Sequence, residues 1–214
     1  MPSKPMIMVL GPSGSGKSTS YEHLPRETTA VIDLELKGFP FKDPSFYSVI
    51  ECRKAEEVTS AVEKALKDDN VKLVVIDSLT KFTEYVLAEC RVAFKGYDIW
   101  SQYAIRIRNF LNKIRNDKKP VIVISIDEIV KIEQPDGGIV SRLRAAVQGK
   151  ELEGKLEKEF LIVLCTEVVV DSKTGTPSYL FRTFSTVSTA KAPRWLDLPA
   201  TMPNDLKPIV DKLL

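Results

Sequence analysis

Apolar residues in this chain fall into short continuous runs, separated by stretches where they recur every third or fourth position. The runs are Met6 to Leu10, Thr29 to Leu34 (TAVIDL), Leu73 to Ile76 (LVVI) and Pro120 to Ile126 (PVIVISI), with a weaker one at Phe46 to Ile50. They are too short for helices and rich in β-branched residues, which predicts strands buried on both faces. Between them, Ala55 to Lys67 puts Val58, Ala61, Val62, Ala65 and Leu66 at helical spacing. Leu79 to Phe94 carries Phe82, Tyr85, Val86 and Cys90, and Tyr97 to Asn116 repeats Ile99, Tyr103, Ile107, Phe110, Leu111 and Ile114, so two more amphipathic helices follow. A short helix is expected from Lys17 to near Pro25, and Lys37 to Ser45, with Gly38, Pro40 and Pro44, reads as a loop. Phe160 to Val170 and Ser178 to Thr186 flank a turn and predict an antiparallel hairpin. The segment Asp127 to Lys158 is charged, glycine-containing and poorly periodic, and reads as a mobile functional insert; the proline-rich tail from Ala192 is expected to pack irregularly. Strands alternating with helices over the first 126 residues predict an α/β fold: a mostly parallel twisted sheet, helices on both faces and a C-terminal antiparallel hairpin.

Length and composition narrow this picture only slightly. A chain of 214 residues with 43% apolar content suits a single domain, 1–214, with a sizeable core. The formal charge of +2 excludes a global electrostatic signature, so any nucleic-acid contact must come from a local patch. Cys52, Cys90 and Cys165 are odd in number and far apart, which fits reduced thiols rather than a disulfide frame or zinc cluster. The few apolar residues ahead of Gly11 are too short for a leader or membrane span, so a cytoplasmic protein without membrane contact is expected.

The chemistry begins where the first run ends. Gly11, Pro12, Ser13, Gly14, Ser15, Gly16, Lys17 and Ser18 form the GxxxxGK[ST] pattern, continued by Thr19. Its glycines let backbone amides turn around phosphates, its lysine reaches the β/γ oxygens and its serine hydroxyl is a ligand for Mg²⁺. In open α/β sheets the ligand crevice lies beyond the carboxyl ends of the strands, where Glu35, Asp77 and Asp127 fall. Asp77 suits the far side of the Mg²⁺ from Ser18, or alternatively a cap for the helix from Leu79, with Ser78 competing for that cap. Glu35 is the candidate to orient water for attack on the γ-phosphate, although Asp33 lies close enough that the residues alone do not separate the two. His23, the only histidine, follows the first helix and is not a candidate for imidazole catalysis.

These residues in this order, with VIDLE at Val31 to Glu35 and LVVIDS at Leu73 to Ser78, resemble the core of RecA-type P-loop ATPases. Ser101 and Gln102, opening a long helix before PVIVISI, add to the resemblance, and the single-domain RecA-like proteins of bacteriophages, associated with single-strand annealing and recombination, are similar. The resemblance implies Mg²⁺-dependent ATP hydrolysis with Glu35 activating water, action on single-stranded DNA in phage recombination or replication, and a homo-oligomer with ATP sites between subunits. It also makes Lys191 and Arg194, within AKAPRW, candidates for cations reaching a neighbour's γ-phosphate. The chain departs from the pattern in having Ser125, Ile126 and Asp127 where such cores place a Gln or His, and in starting immediately before its first strand.

Two basic regions are open to either a solvated-surface or a nucleic-acid reading. Arg106, Arg108, Lys113, Arg115, Lys118 and Lys119 load the last long helix and the turn before Pro120, and Lys131, Arg142, Arg144, Lys150 and Lys155 sit among acids in the insert, where the resemblance places DNA-binding loops. Trp100 and Trp195 read either as packing residues or as base-stacking ones. Two other functions compete. GPSGSGKST could equally open a nucleotide kinase, although no Arg-rich lid follows, and a nucleotide-gated assembly, packaging or helicase-loading module would need the same loop.

Overall fold

The continuous apolar runs form one twisted sheet. The computed structural model describes residues 5–115, 117–133 and 138–214. In chain order its strands are β1 (Met6–Gly11), β2 (Thr29–Asp33), β3 (Ser48–Glu51), β4 (Leu73–Asp77), β5 (Val121–Glu133), β6 (Ile139–Ala145), β7 (Ile162–Val170), β8 (Pro177–Arg182) and β9 (Thr201–Pro203). Across the sheet they lie β3-β2-β4-β5-β1-β7-β8-β9, while β6 pairs with the outer half of β5. β3 through β7 in that order are parallel, and β8 and β9 join antiparallel at the far edge. β1, β2 and β4 are buried at every position, which is why their sequences run apolar without alternation.

The three long helices, α1 (Ala55–Lys67), α2 (Leu79–Ala93) and α3 (Tyr97–Arg115), begin and end within a residue or so of the bounds their periodicity predicts. Ser78 caps α2, its hydroxyl accepting the Lys81 amide at 3.3 Å. All three helices lie on one face of the sheet, sharing a core with Met8, Ile32, Ile76 and Val123. Phe82 of α2 and Phe110 of α3 stack there with ring centroids 4.1 Å apart. The expectation of helices on both faces is therefore corrected. The opposite face is covered by Tyr21, Leu24, Phe41, Phe46 and the C-terminal residues Leu206 to Leu213, which include only the four-residue helix α4 (Lys207–Val210).

Strand order explains the asymmetry. Steps from β3 to β4 and from β4 to β5 move the same way across the sheet, so right-handed crossovers lay α1, α2 and α3 on one side. The step from β1 to β2 runs the other way and delivers residues 12–28 to the opposite side. The helix expected there from Lys17 is replaced by a single 3-10 turn, Thr19–Tyr21. Three consecutive hydroxyl residues, Ser18, Thr19 and Ser20, favour local bonds over an α-helix, and the Ser20 hydroxyl donates to the Lys17 carbonyl at 2.6 Å.

Two further segments are more regular than their composition predicts. Residues 127–158, read as an irregular insert, contain the outer half of β5 and all of β6, in antiparallel register from Asp127 opposite Ala145 to Glu133 opposite Ile139. Charged residues interleaved with Ile129, Val130, Ile132, Leu143 and Ala145 obscure the strand pattern; Gly137 lies outside the described residues. The tail from Ala192, expected to be irregular, forms β9 and α4 and closes the second face. No helix among the described residues is long and apolar enough to cross a membrane.

Candidate functional site

β1 ends in the glycine-rich loop, and the tips of β2, β4 and β5 open onto a cleft of about 490 Å³ beside it. Gly11 sits so close to β7 that a Cβ there would lie 1.7 Å from the Thr166 hydroxyl, which accepts or donates to Ser15 at 2.6 Å. Gly14 and Gly16 take positive φ, +78° and +87°, conformations that a side chain would strain. With only a 3-10 turn behind it, the loop has no helix dipole to draw on, and anion binding falls to its amides and Lys17.

The predicted residues converge on this cleft. Lys17, Ser18, Thr19, Glu35 and Asp77 all line it, along with Ser13, Gly14 and Gly16. The Ser18 hydroxyl donates to Asp77 Oδ2 at 2.6 Å, and the buried Tyr21 hydroxyl donates to the same oxygen at 2.9 Å. Burial pushes the Asp77 carboxyl upward, with Glu35 and Asp33 adding to the push, while the Ser18 and Tyr21 hydrogen bonds favour the carboxylate. Tyr21 is in turn pushed well above the usual phenol range by burial and the Asp77 charge, so it remains a donor. The capping role falls to Ser78, leaving the Asp77 side chain turned to Ser18.

Glu35 stands across the cleft on the turn after β2. Its Oε1 accepts the Ser78 hydroxyl at 2.7 Å and its Oε2 pairs with Lys37 Nζ at 2.7 Å. Burial raises its carboxyl, but the Lys37 ammonium and the Ser78 hydroxyl outweigh that and hold it below the usual glutamate range. Asp33, the other acid at the end of β2, also lines the cleft but is engaged differently. Asp33 Oδ1 accepts the Glu35 and Leu36 amides at 2.9 and 3.1 Å, shaping the turn on which Glu35 is carried.

Lys17 Nζ donates to the Pro12 carbonyl at 2.6 Å, within its own loop. Burial lowers its pKa from the usual lysine range, against the pull of Asp127, Asp77 and Glu35. Within β5, where it leaves the parallel sheet, Ser125 is buried and turned to Thr80, its hydroxyl 3.1 Å from the Thr80 hydroxyl. Asp127 is the acid acting most strongly on Lys17, and its own carboxyl is raised by burial.

Lys191 and Arg194 do not line this cleft. Lys191 bridges to Val163 and faces a second cavity of about 600 Å³ with Lys131, Arg142, Arg144 and Lys158; Arg194 is exposed in a 3-10 turn. The basic residues of α3 are engaged within the fold: Arg106 pairs with Glu89, Arg108 with Glu151, Lys113 with Glu63 and Arg115 with Glu159, and in the turn that follows Lys119 donates to the Ala65 and Asp68 carbonyls. Trp100 packs edge-on to Tyr103 with centroids 6.3 Å apart, whereas Trp195 is exposed. His23 is exposed beside Asp205.

Sequence reasoning missed Tyr21, Lys37, Thr166, Tyr179 and Asn204. The Asn204 amide donates to the Gly16 carbonyl at 2.9 Å, tying the C-terminal segment to the glycine loop. Only Tyr21 and Lys37 carried a usable signal, being close in sequence to Ser18 and Glu35; the others come from chain-distant strands.

A comparison with curated proteins finds no match. A family model described as an AAA domain matches residues 3–193, and the chain, with its phosphate loop facing acids at neighbouring strand tips, belongs to that family of P-loop ATPases.

Proposed function

We propose that the protein is a Mg²⁺-dependent ATPase of RecA type that acts on single-stranded DNA, with Glu35 polarising the attacking water. The observation that carries the reading is the pairing of Ser18 with Asp77 under the glycine loop while Glu35 faces the same cleft. The hydroxyl and carboxylate are hard oxygen donors suited to Mg²⁺, which keeps several of its waters, and no larger cluster of ligating residues exists among the described residues. Ser18 and Asp77 would hold the Mg²⁺, which would supply charge neutralisation for the phosphates. Lys17 exchanges the Pro12 carbonyl for phosphate oxygens, loop amides hold the remaining oxygens, and Ser78 and Lys37 keep Glu35 ionised and aimed.

The DNA part rests on the resemblance and on the second cavity. Among the described residues Lys131 and Arg142 make no ion pair, in contrast to the engaged cations of α3, and Lys158 and Lys191 complete a positively charged wall. Phe184 and Trp195 are exposed in the segments next to it, and cations beside aromatic rings are what a single strand needs. ATP turnover is expected to rise on adding single-stranded DNA, with no phosphoryl transfer to a nucleoside monophosphate; the reverse pattern establishes the kinase reading instead. DNA affinity should fall with salt at a slope of about −0.7 per phosphate contacted, and Arg142→Ala should flatten that slope by about one contact. An unchanged slope removes this groove from the account.

Lys191 and Arg194, outside their own chain's cleft, reach a γ-phosphate only across a subunit interface. If Arg194 does so, Lys17→Ala and Arg194→Ala chains, each inactive alone, regain turnover when mixed, because one interface type then pairs an intact loop with an intact arginine. Mixtures as inactive as their parts rule out the shared site.

A further inference from the structure

The nucleotide cleft is larger than its phosphate chemistry. The acids stand on the β2 and β4 side of β1, at Glu35 and Asp77, whereas β7 and β8 flank β1 on the other side. A triphosphate lying across the β1 loop with its terminal phosphate at Glu35 therefore leads its nucleoside toward β8. There Tyr179 stands in the cleft wall, 45% exposed, its hydroxyl without a hydrogen bond among the described residues. Its ring is set against the loop itself: a Cβ on Gly16 would lie 3.1 Å from Tyr179 Cδ1. The Tyr179 carbonyl accepts the Asn204 amide at 3.1 Å, and the Asn204 side chain holds Gly16, so backbone and loop fix the ring's position.

The other aromatics of the cleft, Tyr21 and Phe39, are committed elsewhere: Tyr21 is buried with its hydroxyl on Asp77. The Phe39 ring packs with Tyr21, Phe41 and Phe46 at centroid distances of 6.3, 5.3 and 6.1 Å, on the Glu35 side. Among the described residues that line the cleft, Tyr179 alone offers an aromatic face on the β8 side of the phosphate loop.

We infer that Tyr179 stacks on the base of the bound nucleoside triphosphate, making it the residue that separates a nucleotide from a bare polyphosphate. The inference rests on the nucleotide reading above. Stacking is sequence-tolerant, because every base has a π-face, so the residue selects for a nucleoside rather than for adenine over guanine.

The test compares Mg²⁺-ATP with Mg²⁺-tripolyphosphate, measured calorimetrically on the full chain. Tyr179→Ala is expected to weaken ATP by about 10- to 100-fold and leave tripolyphosphate unchanged, with Tyr179→Phe close to the parent protein. Equal weakening of both ligands, or an unchanged ATP affinity, overturns the stacking role while leaving the ATPase reading intact. A parent protein that binds neither ligand overturns both.

Discussion

Lys17→Ala loses ATP binding, and with it turnover, while the fold persists. The ammonium is the one cation inside the phosphate loop; it is opposed by Asp77 and Glu35 in the cleft and by Asp127 nearby, whose negative charge the triphosphate meets once the lysine is gone. Removing one partner of a part-buried charged pair costs about 3–5 kcal/mol, which is roughly 10²- to 4 × 10³-fold in affinity. The loop itself keeps its shape, because Ser15, Thr166 and Asn204 hold it independently of Lys17. Thermal unfolding with and without Mg²⁺-ATP separates these effects. Ligand at a hundred times Kd stabilises a binding protein by about 2.7 kcal/mol, so the parent's melting temperature rises with ATP and the variant's does not. A variant that still shows the shift removes Lys17 from phosphate recognition. Lys17→Arg serves as a control, since it keeps the charge but replaces a compact ammonium with a planar fork.

That experiment concerns the part of the site written most plainly in the chain. The glycine loop, Asp77 and Glu35 are legible because each lies at the end of an apolar run, and an open parallel sheet brings such ends to one edge. The same regularity makes α1, α2 and α3 legible, since their buried faces repeat without interruption. What is not legible follows from contacts between distant segments. Asn204 meets Gly16 across most of the chain, and Thr166 reaches Ser15 only because β7 lies beside β1. No local pattern encodes either.

The errors have physical causes too. A helix after the phosphate loop is the ordinary expectation, but Ser18 and Ser20 spend their hydroxyls on Asp77 and the Lys17 carbonyl, and the turn tightens to 3-10 geometry. The positive charge on α3, open in the sequence to a solvated-surface or a nucleic-acid reading, has partners the sequence does not show: Glu63 on α1, Glu89 on α2, and Glu151 and Glu159 from beyond β6. Charge counted along one helix says nothing about acids delivered by another. In β5 and β6 the reverse holds, where alternation interrupted by charges hid a strand pair.

Glu35→Gln should separate binding from chemistry. Glutamine keeps the shape of the side chain and an oxygen to accept the Ser78 hydroxyl, but it loses the ion pair with Lys37 and any ability to take a proton from water. ATP affinity is therefore retained and the hydrolysis rate falls by about 10²- to 10⁴-fold, the span that positioned proton transfer ordinarily contributes. The pH dependence carries the same signature. Although burial works against it, Lys37 and Ser78 hold the Glu35 carboxyl below the usual glutamate range, so the carboxylate survives as acid is added. Turnover in the parent then fails only as pH drops through that lowered pKa, and the stability Glu35 contributes, complete above the unfolded-chain value, is lost over the same interval. In the glutamine variant the residual rate has no such acid limb from this group. Single-turnover hydrolysis measured from neutral pH downward checks both points. A variant that hydrolyses ATP at the parent's rate, or keeps the parent's acid limb, assigns the water to another residue, with Asp127, raised by burial and close enough to act on Lys17, the next to replace.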